Sequence, residues 1–503
     1  MTNVTRRGFL AASAAMAALP LLPARARAAT APLSLTATTR VIEVQGRAAT
    51  VLGLLDTAGR PGLTLDPGQR FRTDLTNALD IETIVHWHGQ IPPNDQDGVP
   101  NTNPMLQPGE TRSYDFEARP GTFWMHSHIP EQEIGLLAAP LIVRRPEEAA
   151  EDRQEVVMLL HDFAFATPEE VLAKVTGGTA MDHGHMDHGA APIPGMGGME
   201  GMMSMPGMQA MHDAMAGGGA MAGGGAMTGG GAMDLNDYAF DAYLANDRTL
   251  ADPEVVRVEK GGRVRLRVID GASMTAFWID TGAVLARLVA VDGAPVVPLS
   301  GTRFAISPGQ RLDLEIDLPA DGAVVPILAL REGARERTGL MLAPQGAKVP
   351  KLAELSEKPH AAVSGDMAQE TALRAVTPLA ARPATAQPMV MLTGMMQPYQ
   401  WRIDGRTWEN RQPVEARSGE RVEIMFHNMS MMAHPMHLHG HVFQVIAVNG
   451  TRFAGARRDT VSVPPMGSVT VALDAGAAAP WMLHCHHMGH LATGMMTEFR
   501  VRA

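Results

Sequence analysis

Among the histidines standing two residues apart in this chain, four pairs lie in strand-like blocks: His86/His88, His126/His128, His437/His439 and His484/His486. In a β-strand residues i and i+2 face the same side, so each His-x-His unit presents two imidazoles together. The eight imidazoles exceed the roughly four ligands of one zinc ion and suit a cluster of several transition-metal ions. In the fourth pair the intervening residue is Cys485, the only cysteine of the chain. On a strand its thiol points away from the imidazoles on either side. His490 follows five residues after it and Met495 ten residues after it. One Cys, two His and a weak axial Met make a blue-copper electron-transfer site, and His434 can be the second His. The strand then wires two sites together, with Cys485 at one and its covalent neighbours at the other.

These pairs need strands to hold them, and the sequence supplies strands as a repeat. Asp66-Pro-Gly-Gln, Lys260-Gly-Gly-Arg and Arg417-Ser-Gly-Glu are turns, each leading into a strand. Val264, Leu266 and Val268 alternate, as do Val422, Ile424 and Phe426, which gives each strand one buried face. Later turns at Pro108-Gly, Pro308-Gly and Pro465-Met-Gly repeat the pattern. A turn–strand grammar met three times predicts three copies of one all-β domain. They are placed at 29–150, 151–345 and 385–503, with 346–384 as a linker. The 503 residues suit about three domains. Only the first and last thirds carry these four blocks, so those two must touch, with the middle third as a spacer.

The blocks His86-Trp-His88-Gly, His126-Ser-His128, His434-Pro-Met-His437-Leu-His439 and His484-Cys-His486-x-x-x-His490-x-x-x-x-Met495 resemble the four copper blocks of multicopper oxidases. The likeness runs in order through the chain from residue 29, and the relatives it points to are periplasmic cuprous oxidases. It implies three cupredoxin-like Greek-key barrels or sandwiches and four copper ions. By that resemblance His434, Cys485, His490 and Met495 hold the type 1 copper, and His86 and His437 the type 2 copper. His88, His126 and His486 hold one ion of the type 3 pair; His128, His439 and His484 hold the other. Electrons taken singly at the type 1 site pass through Cys485, and four of them reduce O2 to water. Asp97, in Asp95-Gln-Asp97-Gly98, sits where the family has an acid near the cluster, which implies a proton relay; the bare residues also read as a turn. Some relatives carry an acid just after the second type 1 His, where this chain has Leu491.

The remaining conspicuous residues read as structural. Trp87, Trp124 and Trp481 are expected to pack, His161, His427 and His441 to be hydrogen-bonded or partly exposed, and His487 to have no ligand role. The net charge of −11 excludes a nucleic-acid binder. The first 28 residues read as a twin-arginine signal, with Arg6-Arg7, an apolar stretch and an Ala-Arg-Ala end. That predicts a periplasmic, soluble protein without a membrane anchor, and we take it as a monomer.

Methionine is unusually frequent, at 35 residues, and 13 of them fall in the Gly-rich tract 176–233 with four histidines. So much Gly cannot make a packed core, so a mobile surface insertion is expected. Thioethers favour Cu(I), which suggests capture of copper as substrate. Met429, Met431, Met432 and Met436 lie beside the type 1 block, Met488 and Met496 lie near Cys485, and Met432 could pass an electron to His434. The expected function is a cuprous oxidase serving copper tolerance. A general laccase acting on phenols and a non-catalytic copper-binding scaffold are the alternatives.

Overall fold

A computed structural model describes residues 31–177, 235–363 and 367–503. The signal and nearly all of the Met-rich tract lie outside these. Each third of the chain is a pair of β-sheets laid face to face. In the first third a four-stranded sheet built on Leu33–Val44 packs against one holding Val85–His88 and Gly121–Ser127. The middle third pairs a six-stranded with a five-stranded sheet. The last pairs a seven-stranded sheet with a five-stranded one that holds His434–Leu438 and Ala479–Cys485. The cupredoxin-like all-β fold expected from the sequence is therefore present three times.

The alternating strands behave as their patterns require. Val264, Leu266 and Val268 are buried, as are Val422, Ile424 and Phe426. Trp87 packs between Phe71 and Tyr114, with ring centres 4.7 and 4.8 Å away. Trp481 meets His441 edge-on.

The strand register sets the site. In the first third His86 stands opposite His126; in the last, His437 stands opposite His484 and Met436 opposite Cys485. Residues directly opposite share a face. One face of the last five-stranded sheet thus carries His434 and Cys485 into the interior of its own third. The other carries His437 and His484 toward the first third. His128, His439 and His486 each follow the end of the strand before them.

The middle third is more than a spacer. Arg311 is fully buried and grips Asp459 of the last third through two bonds, of 2.7 and 2.6 Å. It also donates to the carbonyl of Thr122 in the first third. Gly309 has φ +84°, and a Cβ there would meet His486 at 2.8 Å and His88 at 3.2 Å. Glycine is required because the backbone is left-handed and packs straight onto imidazoles. A second clamp joins the first and middle thirds, where Arg265 and Arg267 bind Glu148 at 2.6 and 3.0 Å.

Candidate metal centres

The His pairs converge from two thirds of the chain into one buried cluster. His88, His126 and His486 bring their donor nitrogens within 4.8 Å of one another, and so do His128, His439 and His484. His86 and His437 lie between these groups, with His437 stacked on His88 at 3.8 Å and His86 against His439 at 3.9 Å. Apart from His128, at 8 %, all are at most 1 % exposed.

Outer hydrogen bonds orient each ring. Nδ1–H donates to a backbone carbonyl in His86 (Asp97, 2.8 Å), His126 (Ser127, 2.8 Å), His437 (Asp459, 2.9 Å) and His484 (Cys485, 2.9 Å). His439 donates from Nδ1 to the Asp97 carboxylate at 2.9 Å. These bonds fix the tautomer and turn Nε2 inward. His88 is reversed: its Nε2 meets Thr460 at 3.1 Å, and its Nδ1 faces His126 Nε2 at 3.3 Å. The inward nitrogens of His128 and His439 lie 3.3 and 3.1 Å from that of His484. The Nε2 atoms of His86, His437 and His486 are buried with no hydrogen-bond partner.

Burial, reinforced by neighbouring imidazoles, pushes the pKa of His88, His128, His437 and His439 far down. That of His484 falls to about 3. The rings are neutral and offer lone pairs toward a common centre. A buried set of orphaned, converging imidazole nitrogens fits copper.

Three buried carboxylates stand behind these rings, each spanning two of them. Asp97 bonds His439 and lies 3.5 Å from His86. Asp459 lies 3.3 Å from His88 and 3.7 Å from His437. Glu133 approaches His126 at 2.7 Å and His486 at 3.7 Å. Burial, and then Asp162, drive the Glu133 carboxyl well above its ordinary range, against the pull of His86. Of the three, sequence reasoning named only Asp97. Glu133 follows His128 by five residues, which is a faint signal; Asp459 had none. Asp97 also makes the turn read from the sequence: Gly98 has φ +77°, and a Cβ there would lie 1.8 Å from the Val85 carbonyl.

On the opposite face of the same strand, Cys485 Sγ lies 3.5 Å from His490 Nδ1 and 3.8 Å from His434 Nδ1. The two imidazoles are 3.1 Å apart at those nitrogens. Met495 is buried, and its carbonyl accepts from Cys485 N at 3.0 Å. Burial raises the thiol far above its usual pKa, so the thiolate requires a bound cation. Ser430 Oγ holds His434 Nε2 at 2.8 Å. Trp401 covers His490, with ring centres 4.1 Å apart. Asp237 of the middle third lies 3.4 Å from His490 Nε2 and 3.5 Å from His487 Nε2, and accepts from the Tyr399 hydroxyl. Burial raises its carboxyl, but His487, His490 and Tyr399 outweigh that and hold it near 2. Asp237 had no sequence signal.

The structural readings fare unevenly. His441 is held at both ring nitrogens, by the His439 carbonyl and the Gly476 N–H, each at 2.9 Å. His427 is half-buried. His161 departs from expectation, buried with Nε2 unpartnered. Trp124 packs as expected, but on the cluster itself, stacked on His126 at 4.2 Å.

Family models described as multicopper oxidase match residues 36–148, 211–324 and 381–503. The chain is 29% identical to multicopper oxidase MmcO of Mycobacterium tuberculosis, over 91% of this chain and 84% of that protein. It is 24% identical to copper resistance protein A of Escherichia coli, covering 88% of each. The laccase of Botrytis aclada superposes with a TM-score of 0.70 at 20% identity, covering 93% of this chain and 87% of that one. With three matched domains in order and imidazoles gathered as copper sites need, the chain belongs to the multicopper oxidases, copper-dependent oxidoreductases that pass electrons from a reducing substrate to O2.

Proposed function

We propose that this protein is a periplasmic cuprous oxidase that serves copper tolerance. The observation carrying this reading is a small cavity where the middle and last thirds meet, lined by Ala433 and Pro435 on either side of His434. The cavity there is about 30 Å³, lined by Met274, Met432, Glu332 and His487 among others. That volume holds about one water-sized guest. It suits an ion, and its two thioethers are soft ligands suited to Cu(I). The relative named for copper resistance supports the same direction. Its test is O2 uptake with Cu(I) and with a phenol in parallel, on the full chain and on a chain lacking 181–233. The reading predicts faster turnover with Cu(I), with the deletion costing most at limiting copper. A phenol preferred over Cu(I) by both chains would make the protein a general laccase instead.

In this reading His434, Cys485, His490 and Met495 hold a type 1 copper and His86 and His437 a type 2 copper. His88, His126 and His486 hold one type 3 ion, and His128, His439 and His484 the other. Four bound coppers would take electrons one at a time and deliver four to O2. The chain supplies the rest. Cys485 is bonded through the backbone to His484 and His486, so the path between the two centres is covalent. Asp97 touches rings assigned to the type 2 and type 3 ions, where a relay must hold and release a proton. Leu491 offers no proton route. Asp237 adds negative charge at the outer edge of His490, where a cationic reductant gains and a neutral phenol does not.

Export through Arg6-Arg7 and the boundaries 29–150, 151–345 and 385–503 belong to the same proposal, as does a monomeric state. No helix of the described residues is long and apolar enough to cross a membrane.

A further inference from the structure

Methionine is distributed unevenly over the surface. Six of the large apolar side chains most open to solvent are methionines: Met389, Met391, Met395, Met429, Met431 and Met466. All belong to the last third. Among the described residues, no methionine of the first two thirds is exposed.

Met389, Met391 and Met395 stand on the strand Met389–Met396, while Met429 and Met431 follow the neighbouring strand and Met466 lies in a turn. Met389–Met396 runs parallel to Arg421–Asn428, with Met389 beside Met425 and Met391 beside His427. Met429 continues the row, its N–H donating to the Leu392 carbonyl at 2.9 Å. Neighbours in register share a face and sit about 4.8 Å apart. Val390 and Leu392 point to the core, so Met389 and Met391 point outward. The outward face thus carries thioethers from both strands, interleaved with one imidazole, His427. Beyond Met429 the chain passes Met431 and Met432 to His434, and Met466 N–H donates to the carbonyl of Ser430 on that segment. Met432 turns inward and lines the small cavity together with Ala433, Pro435 and His487.

Isolated exposed apolar residues are ordinary, but a row of one soft-ligand type ending at a metal site is not. Val, Ile or Thr would suit a strand better than Met, which carries no strand preference. What Met adds is sulfur: a weak, uncharged, polarisable donor that binds Cu(I), releases it readily and does not cross-link on oxidation as a thiol does. We propose that Met389, Met391, Met425, His427 and Met429 form a Cu(I)-acquisition surface that passes ions toward Met432 and the Cys485 centre. This deepens the cuprous reading and rests on it for the source of the electrons, but the ion binding itself stands apart from turnover.

Silver(I) separates the two, being a soft monovalent ion that donates no electron. The full-length, copper-loaded protein is oxidised with dilute peroxide, with and without silver(I), and each methionine is scored by peptide mass spectrometry. Bound thioethers resist sulfoxide formation, so Met389, Met391 and Met429 should oxidise about tenfold more slowly with silver(I). The variant Met389→Leu/Met391→Leu/Met429→Leu with His427→Asn should bind at least one silver(I) fewer by calorimetry. Its blue absorption reports that the fold is intact. Its O2 uptake at limiting Cu(I) should fall about tenfold. Unchanged oxidation of the three thioethers, or equal silver(I) uptake by both proteins, would overturn the proposal and leave the row as a face for an apolar partner. Silver(I) protection in a protein that takes up no O2 with Cu(I) would instead sink the cuprous reading and leave the metal surface standing.

Discussion

The Cys485 site and the histidine cluster are adjacent in the chain but are built on different principles. The thiol site draws on a single third: His434 and Cys485 share one face of one sheet, His490 stands on the helix Met488–Ala492 that follows, and Met495 is buried just beyond it. Asp237 of the middle third reaches it at its outer edge. The cluster takes four imidazoles from each of two thirds; a glycine of the remaining third presses against it and an arginine of that third holds the Asp459 carboxylate behind it. One site forms when its own sandwich folds. The other forms only when three sandwiches dock. The shared strand explains why both occur together, since Cys485 and His484 point to opposite faces of it.

The sharpest test of that division is Cys485→Ser. It should abolish the blue absorption and reduce O2 uptake to background while the cluster keeps its copper, read by metal analysis and the remaining electron-spin signal. Retained colour would break the assignment of the thiol.

Arg311→Leu tests the converse. It leaves Asp459 buried without its cation, a change that costs about 3–5 kcal/mol. Denaturant unfolding should show the loss. Copper at the cluster should fall while the blue band persists. Equal loss of both centres would mean that the thiol site also depends on docking.

The clamp between the first and middle thirds gives a graded version with a pH signature. Burial raises the Glu148 carboxyl, but Arg267 and Arg145 overcome this and hold it at about 2 against an ordinary 4.5. A depressed carboxylate stabilises the fold above its unfolded pKa, and that contribution disappears as pH falls from 4.5 toward 2. The shift corresponds to at most about 3 kcal/mol, and to less where solvent screens the arginines. The stability gap between wild type and Glu148→Gln should therefore be flat above pH 5 and close in acid. A gap constant down to pH 3 would show that packing, and not charge, makes this joint.

The smallest effect is expected at the cluster's outer bonds. Asp97→Asn keeps the shape and can still accept from His439, but it cannot carry a proton. O2 turnover should drop about 10–100-fold with copper content unchanged. Loss of copper in step with activity would make Asp97 a positioning residue and remove it as a relay.

Much of the site was legible because strand periodicity is a local rule. His-x-His with Cys485 between two histidines specifies which side chains share a face before any fold is known, and the alternating apolar positions give the sheets that carry them. Asp97 was readable only through the likeness to the family, which has an acid at that position; its bare residues gave a turn. Glu133, Asp459, Asp237 and Arg311 were not, since each acts on residues far away in sequence and nothing in its own neighbourhood marks it. The middle third is the clearest case: without any of the four blocks it reads as a spacer, yet Gly309 packs on His486 and His88 and Arg311 holds the Asp459 behind them.

What the sequence determined by itself is the donor inventory: which imidazoles pair, which face the thiol takes, and how many strands repeat. Tertiary structure alone decided which nitrogen of each ring turns inward, which carboxylate stands behind it and how small the cavity at Met432 is. The physical reason is range. Backbone geometry acts within a few residues, whereas burial, ion pairing and cavity size arise only where distant segments meet.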